Sequence, residues 1–191
     1  MKKERLEAFS DGVLAIIITI MVLQLKAPDE PTFSSLLPLA PILFSYLLSF
    51  VFVGIYWNNH HHLCQAISKV DGRVLWANLH LLFWLSLLPF VSAWVGGTKF
   101  AATPVALYGA DLFLAAVAYF ILTKALIALH GQDSLIATAL GRDFKGKISV
   151  VIYLVAIPVA FVNPSAAFAL YVVVALMWLI PDRRIEKIFS R

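Results

Sequence analysis

The stretch RLEAFSDGVLAIIITIMVLQL, residues 5–25, decides the fold class. From Ala8 to Leu25 it is apolar throughout, apart from a polar start at Ser10 and Asp11 and the isolated Thr19 and Gln24. As a helix rising 1.5 Å per residue, such a run crosses most of the roughly 30 Å of bilayer hydrocarbon. The apolar residues are continuous rather than alternating, which argues for helices over a barrel. Five further runs follow: Leu36–Trp57, Leu75–Val95, Val105–Leu129, Ile148–Val162 and Ala166–Ile180. The fifth contains Pro158 and is short, so it is expected to be tilted, kinked or extended by its flanks.

The whole chain agrees with this stretch. Of 191 residues, 61% are hydrophobic and 14% charged, against about 45–50% and 25% in soluble domains. A mean hydropathy of +0.87 excludes a soluble globular domain and a disordered chain. The expectation is an all-α integral membrane protein, a single domain over residues 1–191 with six transmembrane helices. Breaks separate the runs: Pro28-Asp29-Glu30-Pro31, Gly96-Gly97, Asn163-Pro164-Ser165 as a tight turn, and Pro181-Asp182-Arg183-Arg184. Trp57, Trp76, Trp94 and Trp178 fall near run ends, as an interfacial belt requires.

Charge sets the orientation. Lys2, Lys3, Arg5, Lys69, Arg73, Lys124, Arg142, Lys145, Lys147, Arg183, Arg184, Lys187 and Arg191 fall on one side, and only Lys26 and Lys99 on the other. The basic side is cytoplasmic by the positive-inside rule, so both termini are expected in the cytoplasm of a plasma-membrane protein. The net charge of +4 therefore reads as topology rather than a nucleic-acid patch. The first run lacks a small-x-small cleavage site and is not read as a signal peptide. No internal repeat stands out; the longest soluble-looking segment is His130–Lys147, expected as a loop with some helix. The single cysteine, Cys64, forms no internal disulfide.

Polar groups inside the runs are sparse, with none forming a stripe along a whole run. A six-helix subunit of this kind does not line a wet channel alone, so any pore lies between subunits on a symmetry axis. At 100° per residue, Gly12, Ile16, Thr19, Ile20 and Leu23 share one side of the first helix, while Ser10 and Asp11 point away. The plain alternative is that Ile16, Ile20 and Leu23 face lipid or another helix. A ring of isoleucines closes a pore by dewetting, and it favours potassium, which sheds water more readily than sodium. A threonine such as Thr19 either adds a hydroxyl layer or bonds its own helix backbone. No carbonyl-cage filter of the TVGYG type is present.

Arg5-Leu6-Glu7-Ala8-Phe9-Ser10-Asp11 reads R-x-x-x-F-S-D at the start of the first run. With Asn78-Leu79 and Leu88-Pro89-Phe90 in the third, this resembles the transmembrane protein 175 (TMEM175-type) family of potassium channels, in its prokaryotic branch. The resemblance implies a homotetramer of six-helix subunits around a central pore lined by each first helix. It further implies a narrow ring at Ile16, apolar rings at Ile20 and Leu23, a hydroxyl layer at Thr19, and potassium as the permeant ion with no cofactor. Either the apolar ring or the hydroxyl layer selects the ion.

Arg5, Phe9, Ser10 and Asp11 are expected to form a structural motif rather than an ion site. Arg5 and Asp11 are six apart, so their partners lie on other helices. For Ser10 and Asp11 the favoured partners are Asn78 and His80 of the third run, because a carboxylate near lipid is costly unless satisfied. His60-His61-His62 point about 100° apart and cannot all bind one metal; they are expected at a solvated, headgroup-facing end. His80 is expected to be a satisfied packing histidine, and Asp111 to pair with Lys99 or a backbone amide. Tyr108-Gly109-Ala110 suits close helix approach. No HExxH, GxSxG, P-loop or paired carboxylate marks an enzyme. The alternative function is a proton-linked small transporter or proton leak through Asp11, His80 and Asp111. The expected surroundings are membrane lipid and other copies of the chain, not nucleic acid.

Overall fold

The computed structural model describes residues 3–140 and 143–179, and its regular structure is entirely helical. The elements are α1 (Lys3–Leu23), a 3-10 helix (Phe33–Leu39), α2 (Ala40–Gln65), α3 (Gly72–Gly97), α4 (Ala102–His130), α5 (Leu135–Leu140), α6 (Phe144–Val162) and α7 (Pro164–Leu179). Six long helices thus stand where the six apolar runs lie. Lys2, Arg142, Ile180, Pro181, Asp182, Arg183, Arg184, Lys187 and Arg191 lie outside the described residues.

Local chemistry sets the ends. Asp71 Oδ1 accepts from the Val74 amide at 2.9 Å and starts α3; Asp143 Oδ1 accepts from the Gly146 amide at 2.8 Å and starts α6. Both are N-cap contacts that satisfy an orphan amide of the first turn. Gly131, at φ +91°, ends α4 in a region that favours glycine. Several helices outrun their apolar runs. α1 begins five residues before Ala8 at the latest, because Lys3, Glu4 and Arg5 are good helix formers that need no hydrocarbon. α2 continues past Trp57 to Gln65 through Asn58, Asn59 and three histidines, since its polar last turns pack against α1 and α3. The short fifth run gains a turn and begins at Phe144. The expected tight turn at 163–165 shrinks to Asn163 alone, whose Oδ1 accepts from the Ala166 amide at 3.1 Å and starts the next helix at Pro164.

α3 is the organising helix, packed against α1, α2 and α4; α4 also packs on α6, and α6 on α7. Its buried side includes Leu81, Leu85 and Leu88, facing a core shared with Phe52, Leu112 and Leu122. Two glycines bring helices unusually close. A Cβ on Gly96 would stand 2.6 Å from the Ile42 Cα, and one on Gly109 would overlap the Tyr171 phenol. Close packing at Gly109 matches the small-residue expectation for α4. α1 lies at the margin and, among the described residues, packs chiefly against α2 and α3. Trp76 and Trp94 are exposed near the two ends of α3, in keeping with an interfacial belt, and Trp57 is exposed about two turns before the end of α2.

Candidate functional site

α1 has two faces. Leu6, Ser10, Leu14, Ile17 and Met21 recur every three or four residues and are buried against α2 and α3. On the other side, Ile16 is 58% exposed, Ile20 42% and Leu23 78%. Gly12 and Thr19 are exposed with them. The stripe singled out from helical spacing is therefore the face that the subunit leaves uncovered. Thr19 Oγ1 donates to the Ile16 carbonyl at 2.8 Å, so the threonine bonds its own helix, while its oxygen keeps free acceptor capacity.

The buried face is fastened by a chain of hydrogen bonds. His60 Nε2 donates to Asn78 Oδ1 at 2.8 Å. Asn78 Nδ2 donates to Ser10 Oγ at 2.9 Å, and the Ser10 hydroxyl donates to the Leu6 carbonyl at 2.8 Å. The only direction in which all these groups are satisfied makes His60 the neutral Nε2–H tautomer, with Nδ1 facing the Cys64 sulfur at 3.7 Å. One line of donors thus runs from α2 through α3 into α1. Ser10, Asn78 and His60 are all buried.

A second set of contacts ties the polar end of α1 to α2. Trp57 Nε1 donates to Asp11 Oδ1 at 3.0 Å. His61 Nδ1 meets Glu7 Oε1 at 2.9 Å, and Lys3 Nζ donates to the Cys64 carbonyl at 3.0 Å. Asn78 is thus a partner of Ser10, as expected, but three expectations are corrected. Asp11 is held by Trp57 on α2 and not by α3, because its position, one residue after Ser10, turns it toward α2. His80 plays no part in the motif. It accepts from Trp84 Nε1 at 2.9 Å, one turn along its own helix, so it is a satisfied packing histidine. His60 is not a solvated end but the buried link of the network. Sequence reasoning missed His60 and Trp57. The available signal was their shared depth with Ser10 and Asp11 at the basic end of the bundle.

Arg5 is exposed and pairs with no described residue of its own subunit, contrary to the expected partner on another helix; Phe9 is exposed beside it. Asp111 is 4% exposed, and no described donor reaches either carboxylate oxygen, so the expected Lys99 or amide partner is not there. Among the described residues no cluster of three His, Cys, Asp or Glu has a metal-holding arrangement.

Fold and site together define an all-helical, multi-pass membrane protein whose first helix is bolted at one end and bare along one side. A family model described as the endosomal/lysosomal potassium channel TMEM175 matches residues 5–89. The chain belongs to this TMEM175 family, which is one of ion channels and not of enzymes. A Chryseobacterium protein named as a potassium channel is 54% identical over 187 residues, covering 98% of this chain and 97% of that one. A crystal structure from Chamaesiphon minutus, described as that of a homologue of the lysosomal potassium-selective channel TMEM175, superposes with a TM-score of 0.79. It is 27% identical and covers 93% of this chain and 96% of that one. A rat protein named as the endosomal/lysosomal proton channel TMEM175 is 33% identical over 154 residues, which is 71% of this chain and 30% of that one.

Proposed function

We propose that the chain, as one domain over residues 1–191, is a subunit of a homotetrameric, potassium-selective leak channel of the plasma membrane with both termini cytoplasmic. Four copies of α1 meet around the axis, and Ile16 forms the narrow ring. Ile20 and Leu23 continue the apolar lining, and Thr19 adds a hydroxyl layer. Potassium is the permeant ion, and no cofactor is needed. One observation carries this reading: α1 ties Ser10 to Asn78 and Asp11 to Trp57 within its own subunit and leaves Ile16, Ile20 and Leu23 bare. Bare apolar side chains on a marginal helix suit lipid, but the names of the bacterial relatives favour a shared pore. In such a pore the ring closes by dewetting and passes the ion that loses water more easily.

The motif Arg5, Phe9, Ser10 and Asp11, with Asn78, acts as an assembly clamp. Arg5 lies on the same side of α1 as Ile16, so its charge meets water, headgroups or a neighbouring copy. The test is flux from liposomes holding purified protein. Uncoupled potassium flux that exceeds sodium flux, and that loses this preference in Ile16→Asn, supports the assignment; unchanged selectivity in that variant contradicts it.

A proton pathway is the second reading. It is favoured by the unpartnered carboxylate of Asp111 and by vertebrate relatives named as proton channels. Against a relay stands the geometry: Asp11 is held by Trp57 and His80 by Trp84, and none of Asp11, His80 and Asp111 hydrogen-bonds another. Proton uptake driven by a potassium gradient, abolished by Asp111→Asn, would favour this reading.

A further inference from the structure

A cavity of about 470 Å³ opens between α2, α4, α6 and α7, with no lining residue from α1. Its size is that of a small-ligand site. The walls are apolar, formed by Phe52, Ala116, Val117, Val150 and their neighbours. Set into them are three phenols, Tyr56, Tyr119 and Tyr153. None of the three hydroxyls has a hydrogen-bond partner among the described residues, and none is sealed off by protein. A tyrosine held in an apolar wall ordinarily finds a partner for its hydroxyl, so three open ones mark room for a ligand with acceptor atoms.

The polar end of the cleft lies at the first turn of α6, where Asp143, Gly146 and Lys147 line it. Most polar groups there are already engaged: Asp143 caps Gly146, Trp178 Nε1 donates to Ser149 Oγ at 2.9 Å, and Asn59 Nδ2 donates to the Ile55 carbonyl at 2.9 Å. Lys147 makes no ion pair with any described residue, and Lys145, two residues earlier, lies over the Trp178 ring, 5.9 Å from its centroid. Lys147 precedes Tyr153 by six residues, so about 9 Å of helix rise separates their backbones. A cation at the rim, hydroxyl donors one to two turns deeper and an apolar floor repeat, in order, the phosphate, ester and chain layers of a membrane lipid.

We propose that this cleft is a binding site for an anionic phospholipid. Its phosphate pairs with Lys147, its ester carbonyls accept from the tyrosine hydroxyls, and an acyl chain lies along Ala116, Val117 and Val150. A zwitterionic lipid offers the same chains and esters, but its own cation competes with Lys147, and this sets the preference. The proposal rests on the membrane reading of the chain and is independent of the pore assignment to α1.

The test is native mass spectrometry of the full-length protein after incubation with equal amounts of phosphatidylglycerol and phosphatidylcholine carrying the same chains. The parent retains phosphatidylglycerol about fivefold over phosphatidylcholine, the preference expected for one basic residue at the membrane surface. Lys147→Gln removes the preference while lipid is still retained, and Ala116→Phe, which fills the cleft, lowers retention of both lipids. Liposome flux of each variant, unchanged from the parent, shows that folding and the pore are intact. Equal retention of the two lipids by the parent, no retention because a second copy covers the cleft, or a preference that survives Lys147→Gln would each overturn the proposal.

Discussion

At the scale of single residues, the molecule is organised by where a few polar groups discharge their hydrogen bonds. His60, Asn78 and Ser10 form a buried line in which each residue donates one hydrogen bond to the next acceptor. Breaking such a line strands the remaining groups, at about 1–3 kcal/mol per unsatisfied group. His60→Ala therefore lowers the thermal unfolding midpoint more than Cys64→Ser, which keeps a donor toward the histidine; a fluorescence melt in detergent reads both. Asp11→Ala and Trp57→Phe act alike, because each removes one half of the same bond. In both, the yield of assembled protein on size-exclusion falls before potassium selectivity changes. A variant that assembles normally but loses selectivity would return Asp11 to the ion path. Asp111 behaves oppositely. Its unpartnered carboxylate is a cost to the fold, so Asp111→Leu is neutral or stabilising in the same melt and leaves potassium flux intact. The sequence showed that Ser10 and Asp11 needed partners and named Asn78. It did not show Trp57 or His60, because they lie on a helix whose polar extension beyond the hydrocarbon carries no apolar signal.

At the scale of elements, α1 is defined by its asymmetry. The 3.6-residue period that buries Ser10, Leu14, Ile17 and Met21 necessarily turns Ile16, Ile20 and Leu23 outward. This was legible in the sequence, since angular spacing alone separates the two stripes. What spacing left open was which stripe faces the subunit, and the polar start of the helix decides that. The glycine contacts were half legible. Tyr108-Gly109-Ala110 announced a close approach, but the partner, Tyr171 on α7, and the contact of Gly96 with Ile42 are long-range facts that no local pattern encodes. Gly96→Val is expected to push α3 from α2 and to destabilise by a few kcal/mol, the range of overpacked cores. Gly97→Val, where a Cβ meets nothing within 4 Å, serves as its control in a denaturation series.

At the scale of the whole molecule, six apolar runs became six long helices because composition at this extreme leaves no other way to satisfy the backbone in lipid. The ends moved where polar residues continued a helix, as at Lys3–Glu7 and Asn58–Gln65, since the bilayer limits an apolar run and not the helix that contains it. Neither the pairing of helices nor the cleft between α2, α4, α6 and α7 was legible, because both depend on which faces meet. The central claim is that the bare stripe of α1 lines a path shared by several copies. Silver ion, which passes where small cations pass and binds thiolate, tests it directly on liposome potassium flux. Ile16→Cys is predicted to make flux silver-sensitive, whereas the parent, whose Cys64 is buried, and Val155→Cys on the exposed side of α6 remain insensitive. Persistent flux from Ile16→Cys under silver would contradict the account.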